Sequence, residues 1–418
     1  MINITRLYCG EETPSDDIRY GQKILKGHHG VPLSTGKQEG CIPQSASSRK
    51  PIVVWNSTRT CNLKCVHCYT DSDNIQYQGE LTTGEAKGMI RDLGGFKVPA
   101  MLFSGGEPLI RKDLFELASY ALDHGVKPTL STNGTLITRD IAQRLKTTGF
   151  TYVGISLDGI GEINDQFRGV QGAFDRAMRG FKNCVEVDQR VGLRLTLTRR
   201  NYQDLHRIFD FIEAEHIDRA CFYHLVYSGR GLDIQKDDLT AGESRQAMDI
   251  ILQRTEDFAG RGLEKEILTV DNHVDGIYLY LKLKEKNPER AEEVMALLTW
   301  NGGGLYSTGV GIGEIDFCGR VHPDQFWMDH TLGNVRERPF SEIWMDTSDP
   351  IMAGLKHRKP LLKGKCARCQ WIDACGGSFR VRALRVYDDP WMEDPQCYLT
   401  PQECGLDENE RKNHREGG

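Results

Sequence analysis

Cys61, Cys65 and Cys68 stand close together in the stretch CNLKCVHCYT, with the spacing CxxxCxxC. A disulfide uses two thiols and a structural zinc site uses four protein ligands, so a set of three leaves one position of a metal centre open. Soft thiolates suit iron–sulfur centres, and such a loop can wrap three corners of a cubane 4Fe–4S cluster. The fourth iron would then be free to take a small molecule, by the logic of a catalytic zinc site that keeps an open position. Taken alone, the three cysteines also fit a partial zinc site. A second group lies near the other end of the chain, Cys366, Cys369 and Cys375 in CARCQWIDAC, followed by Cys397. Four thiols are a complete ligand set, for zinc or for a fully ligated iron–sulfur cluster. Cys9, Cys41, Cys184, Cys221, Cys318 and Cys404 read as core or incidental cysteines.

Short apolar runs separated by amphipathic stretches would hold these groups in place. IVVWN (52–56), AMLFS (100–104), KPTLST (127–132), YVGISL (152–157), GLRLTLT (192–198) and ACFYHLV (220–226) read as buried strands. Helical stretches fall near 83–95, 113–124, 138–148, 173–186 and 202–214. Near-continuous apolar strands alternating with helices predict a parallel sheet covered by helices, either a partial (β/α)6 TIM-like barrel or a doubly wound open sheet. Both place the ligand site at the C-terminal strand ends. Those ends carry STRTCNLKCVHC, SGGEP (104–108), STNGT (131–135) and SLDG (156–159), all polar and several with glycine.

The expected division is an irregular segment at 1–50, an α/β barrel at 51–238, a helical connection at 239–304, a cysteine-bearing domain with one or two hairpins at 305–405, and a disordered charged tail at 406–418. The chain has 418 residues, 39% hydrophobic and 27% charged, which is ordinary for a globular protein with a sizeable core. A net charge of −6 argues against a dedicated nucleic-acid binder. No apolar run approaches the roughly 18 residues a membrane helix needs, and MINITRLYCG has no secretory h-region. A cytoplasmic location is the expectation, and clustered cysteines in a reducing compartment point to metal or catalysis.

CxxxCxxC after the first strand of an α/β barrel, followed by SGGEP after the second, resembles the radical S-adenosylmethionine enzymes. The resemblance implies that S-adenosylmethionine chelates the open iron and is cleaved by one electron to a 5′-deoxyadenosyl radical that abstracts a substrate hydrogen. It implies cofactor contacts from His67 near the adenine, from Gly105, Gly106 and Glu107 near the methionine amino group, and from Ser131, Asn133, Ser156 and Asp158 near the carboxylate or ribose. The later cysteines resemble the C-terminal extension called SPASM, implying a second 4Fe–4S cluster on Cys366, Cys369, Cys375 and Cys397.

Within that family, PIVVWNSTRTCNLKCVHCYTDSD, FYHLVYSGRG (222–231) and CGGSFRVRALRVYDDPWMEDPQCYLT (375–400) resemble enzymes acting on modified tetrapyrroles. The implied reaction removes the two acetate side chains of 12,18-didecarboxysiroheme to give iron-coproporphyrin III. The alternatives are removal of propionates in haem d1 formation and SPASM-type peptide maturation. A non-enzymatic iron–sulfur scaffold is disfavoured, because it has no need of SGGEP or an open iron. A flat, iron-bearing polyanion asks for arginines and an axial imidazole. The expected substrate residues are His224, Tyr227, Arg230 and His322, with Arg380, Arg382, Arg385 and Tyr223 as further candidates. The expected partners are the iron-tetrapyrrole and an electron donor such as ferredoxin or flavodoxin.

Overall fold

The computed structural model describes residues 1–16 and 50–406. The remainder of the 1–50 segment, Cys41 included, and the tail after Leu406 lie outside the described residues. Among the described residues one sheet of eleven strands organises the fold. Its centre is parallel: β2 (Ile52–Thr58), β3 (Ala100–Gly105), β4 (Lys127–Thr132), β5 (Val153–Ser156), β6 (Val191–Leu197), β7 (Arg219–His224) and β8 (Glu266–Val270) neighbour one another in chain order. The first six match the expected strands.

The strand β8 corrects the purely helical reading of 239–304. EILTV is a short, fully buried run of strand-forming residues, and it pairs in parallel with β7. Its setting between long helices hid it. The start of the chain is likewise not all irregular. Strand β1 (Ile2–Asn3) pairs antiparallel with β8, and a π-helical turn follows at Thr5–Cys9. At the opposite edge, β9 (Ile312–Ile315) adds in parallel to β2, then forms the expected hairpin with β10 (Arg320–His322), beside β11 (Gly333–Asn334). The sheet is therefore continuous from the barrel into the cysteine-bearing region.

The helices form where capping and periodicity agree. In α1 (Thr83–Gly95), the Thr82 hydroxyl accepts from the Glu85 amide while the Glu85 carboxylate accepts from the Thr82 amide, and Ala86, Met89, Ile90 and Leu93 bury one face. The same box, Thr240 with Glu243, opens the long helix Ala241–Gly260. Trp55, Phe103, Phe209, Phe222 and Phe258 fill the space between strands and helices with no more than trace exposure. This packing leaves the strand ends free to present polar groups.

Candidate active site

The cysteine loop leaves β2 and is held on two sides. The Cys61 amide donates to the Asp73 carbonyl at 3.0 Å, and the amides of Lys64 and Val66 donate to the carbonyls of Arg168 and Phe167 at 3.1 and 2.9 Å. Arg230 clasps the other side. Its Nε donates to the Cys65 carbonyl at 2.8 Å, its amide to the Cys68 carbonyl at 3.0 Å, and its Nη1 to the Ser72 carbonyl and the Asp71 carboxylate. Gly229 permits this contact, since a Cβ there would lie 2.4 Å from the Cys68 carbonyl oxygen.

The three thiols open into one cavity of about 430 Å³ at the strand ends. Gly105, Gly106, Ser131, Asn133, Ser156, Asp158, His67, Tyr223 and His224 line it as well. Gly105 takes φ +125°, and a Cβ on either Gly105 or Gly106 would come within 2.2 Å of a carbonyl of the β2 end, so only glycine lets this backbone face the cavity. Glu107, by contrast, is fully buried behind the wall. Its carboxylate accepts from the Thr132 hydroxyl and from the amides of Asn133 and Leu109, tying the β3 and β4 ends together. Its side chain therefore braces the wall, while the expectation for this stretch is a place near the methionine amino group. Burial pushes its carboxyl up to about 7, against the pull of the three hydrogen bonds.

Asp158 sits at 1% exposure between a guanidinium and an imidazole, 2.5 Å from Arg168 Nη2 and 3.3 Å from His67 Nε2. Arg168 also reaches the Cys65 sulfur at 3.5 Å. Burial lowers the His67 pKa despite Asp158, and His67 Nδ1 has no partner. Asn133 is mostly committed to protein, accepting from Thr135 and donating to Asn62. Ser131 accepts from Arg194 Nη1 at 2.7 Å.

Arg194, on β6, is a site residue that sequence reasoning missed. It lines the cavity, its Nε has no hydrogen-bond partner, and no carboxylate pairs with it among the described residues. Gly154 on β5 makes room for it, since a Cβ there would meet Arg194 Nε at 2.3 Å.

His224 stands where barrel chemistry is expected. Its Nε2 lies 2.9 Å from the fully buried Asp275 carboxylate, whose other oxygen accepts from the Tyr398 hydroxyl at 2.7 Å. Burial alone would lower the His224 pKa, but Asp275 and its hydrogen bond outweigh burial and raise it. A second imidazole, His273 at the end of β8, also lines the cavity, and went unseen because β8 did. Burial holds its pKa well below the ordinary value.

The other expected substrate residues lie elsewhere. The Tyr227 hydroxyl donates to Asp238 at 2.7 Å, away from the cavity. Arg230 braces the cysteine loop as described. His322 is fully buried in the hairpin, with Nδ1 2.8 Å from the His330 carbonyl. Arg380 is fully buried and donates to the carbonyls of Pro390, Met392 and Gly377. Arg382 is paired with Asp394, and Arg385 forms a two-pronged pair with Asp329. Spaced arginines on one short helix, Arg380–Tyr387, signalled structure rather than substrate.

Cys366, Cys369, Cys375 and Cys397 surround one small apolar pocket, together with Cys404. Cys318 lies apart, near Gly79 and the Gln78 carbonyl. Among the described residues no three His, Cys, Asp or Glu donors converge as on a single metal ion. The thiols of both groups instead surround a space.

The radical SAM superfamily model matches residues 55–212. The Fe-coproporphyrin III synthase of Methanosarcina barkeri is 54% identical over 410 residues, covering 97% of this chain and 99% of that protein. The chain belongs to the radical SAM superfamily. The pre-heme d1 synthase of Dinoroseobacter shibae is 44% identical, covering 85% of this chain and 88% of its own length. The solved structure of native anSMEcpe with bound AdoMet shares the fold, with a TM-score of 0.64 over 83% of this chain and 94% of that one at 19% identity. Radical SAM membership implies a 4Fe–4S cluster and S-adenosylmethionine, and the residues present fit both. Three thiols face a cavity without closing it, glycine backbone lines the same wall, and His67 Nδ1 and Arg194 Nε are buried there without partners. Among the described residues no helix is long and apolar enough to cross a membrane.

Proposed function

We propose that the chain removes the two acetate side chains of 12,18-didecarboxysiroheme whole, the bond from each acetate to its ring carbon breaking so that the group leaves at the level of acetic acid while the ring gives up a hydrogen and gains a double bond, to give iron-coproporphyrin III. The observation that carries this reading is the 54% identity to an Fe-coproporphyrin III synthase across nearly the full length of both chains. The cavity agrees with it, offering an unpaired guanidinium and two imidazoles to a metallated, carboxylate-bearing ring.

Cys61, Cys65 and Cys68 hold three corners of the catalytic cluster. The backbone of Gly105 and Gly106, with Ser131, Ser156, Asp158 and His67, forms the S-adenosylmethionine wall. When bound, the cluster and S-adenosylmethionine supply hydrogen-abstracting radical chemistry. The protein's own residues orient and exclude. Arg168 neutralises Asp158 and touches the Cys65 sulfur, fixing the loop. Arg194 takes a carboxylate, for which a buried guanidinium without an anion has a strong need. His224, held by Asp275, faces the substrate iron or its ring edge with a fixed orientation.

A second 4Fe–4S cluster sits on Cys366, Cys369, Cys375 and Cys397, fully ligated and suited to electron relay. The electron donor is a ferredoxin or flavodoxin, and the protein works in the cytoplasm, where thiols stay reduced. The test is an anaerobic assay with reconstituted protein, dithionite, S-adenosylmethionine and 12,18-didecarboxysiroheme, read by product mass. Loss of two acetic acid equivalents supports the reading. Loss of two propionate side chains supports the haem d1 reaction instead, and formation of 5′-deoxyadenosine with the tetrapyrrole untouched refutes both.

A further inference from the structure

The cavity at the strand ends has two kinds of wall. The ends of β3 to β6 give it glycine backbone, hydroxyls and charge, from Gly105, Ser131, Ser156 and Arg194 among others. Elsewhere it is lined by Tyr69, Leu225, Val226, Phe326 and Phe379. The three rings form a ladder. Tyr69 and Phe326 have ring centroids 5.3 Å apart at 67°, and Phe326 and Phe379 5.5 Å apart at 72°, both edge to face. With Val226 they belong to an apolar cluster separate from the main core, whose members Trp327, Leu355 and Val381 do not line the cavity. The ladder is the face at which that cluster meets the cavity.

Each ring comes from a different segment, and each is anchored. Tyr69 follows Cys68 directly, and its hydroxyl donates to Asn56 Oδ1 at 2.9 Å and lies 3.0 Å from Ser104 Oγ. Phe326 lies in the turn after β10, where its amide donates to Asp324 Oδ1 at 2.9 Å. The Phe379 amide donates to Asp394 Oδ2 at 2.9 Å, and the Arg382 guanidinium lies 5.2 Å from the Phe379 ring. Rings held in this way lose little freedom when a ligand arrives. The polar wall meets the needs of a sulfonium nucleoside. A surface of three rings suits a large flat π-system instead, and Arg194, with no carboxylate partner among the described residues, suits the carboxylates at its rim.

We propose that Tyr69, Phe326 and Phe379 form the specificity surface for the ring plane, the macrocycle lying against them with a carboxylate on Arg194. The proposal rests on the tetrapyrrole reading and adds to it the part of the chain that recognises flatness. Because Tyr69 is joined to Cys68, a macrocycle on this wall adjoins the cluster loop.

The experiment titrates iron-coproporphyrin III into anaerobically reconstituted full-length protein without reductant and follows the tetrapyrrole absorption band. Phe326→Leu and Phe379→Leu keep an apolar side chain but remove a ring. Each should raise Kd about 3–10-fold, and the pair about 10–100-fold. S-adenosylmethionine cleavage under dithionite should stay at the wild-type rate. An unchanged Kd in the double variant overturns the proposal, and so does a parallel loss of S-adenosylmethionine cleavage, which would make the rings part of the radical site. A second measurement needs no substitution. Coproporphyrin III is flat, whereas coproporphyrinogen III carries the same side chains on a puckered ring. In competition with iron-coproporphyrin III, wild type should bind the flat ring about 10-fold more tightly or better, and equal affinities overturn the proposal. Failure of wild type to bind any of these tetrapyrroles defeats the tetrapyrrole reading itself, a distinct result.

Discussion

Replacing Arg382 by Met tests how the two thiol sites are joined. Arg382 is fully buried and spans three pieces of chain. It donates to Asp394 Oδ1 and Oδ2 at 2.9 and 2.8 Å, to the Leu225 carbonyl at 3.2 Å and to the Asp271 carbonyl at 2.8 Å. Leu225 follows His224 and Asp271 precedes His273 by two positions, while Asp394 leads into Cys397. Removing the guanidinium leaves a carboxylate of 2% exposure with only N–H partners, from Phe379 and Gln396. Breaking one side of a buried pair costs about 3–5 kcal/mol. A second route gives a compatible figure. Burial would raise the Asp394 carboxyl, but Arg382, Arg380 and the N–H donors outweigh it and hold it at about 2 against an ordinary 3.8. At about 1.4 kcal/mol per pH unit, that gap corresponds to roughly 2–3 kcal/mol. Because the folded value is depressed, this stability is fully present above about pH 4 and is lost as pH falls towards 2. Guanidinium denaturation at pH 7, followed by tryptophan fluorescence, should show Arg382→Met less stable by about 3–5 kcal/mol. The Arg382→Met/Asp394→Asn double variant should recover a substantial part, because no charge is left stranded. A single-variant cost below about 1 kcal/mol, or no recovery in the double variant, would refute the reasoning.

Other outcomes follow from the cavity walls. Asp275→Asn should lower tetrapyrrole turnover by about 10–100-fold while S-adenosylmethionine cleavage persists, because it frees the His224 ring without touching the cysteine loop; equal loss of both activities would contradict that placement. Arg194→Gln should raise the tetrapyrrole KM by about 10–100-fold, the value of a lost charge-assisted contact; a rise in the S-adenosylmethionine KM alone would move the residue to the other ligand. Glu107→Gln should flatten the pH dependence of stability. With its folded carboxyl raised to about 7 from 4.5, wild type loses stability as pH rises through that interval, and the variant should not. Parallel melting curves from pH 4.5 to 7.5 decide it, and identical slopes would count against it.

The barrel was legible because each of its first six strands is a compact apolar run between clear helices. Those runs also fixed where the polar ends must point, which is why CxxxCxxC and SGGEP could be read as one site. EILTV at 266–270 failed that test, since a short run between helical stretches has no period of its own. Missing it also hid His273. Arg194 escaped for a different reason. Within GLRLTLT it looks like one polar interruption of a buried strand, and only the missing side chain of Gly154 next door tells that it faces inward. Arg380, Arg382 and Arg385 misled because sequence spacing gives a helix face but not what covers it. Here carbonyls and carboxylates cover them, and the substrate reading falls.

The same contacts bear on how the strand-end cavity and the C-terminal thiol pocket keep a fixed geometry. The cavity imidazole His224 is oriented by Asp275, Asp275 is held by the Tyr398 hydroxyl, and Tyr398 is the next residue after Cys397. Arg382 runs a second tie from the ends of β7 and β8 to Asp394, three residues before Cys397. Both ties are buried, so their hydrogen bonds are costly to break and resist local opening. A cluster loaded on Cys397 would therefore set the position of His224 through Asp275, and a cluster lost from it would loosen the substrate wall before it touched the radical site. On this frame, variants that empty the C-terminal pocket should uncouple the enzyme. They should still cleave S-adenosylmethionine at the Cys61, Cys65 and Cys68 site while turning over less tetrapyrrole per cleavage, and a proportional fall in both would show that the two sites are joined by electron transfer alone.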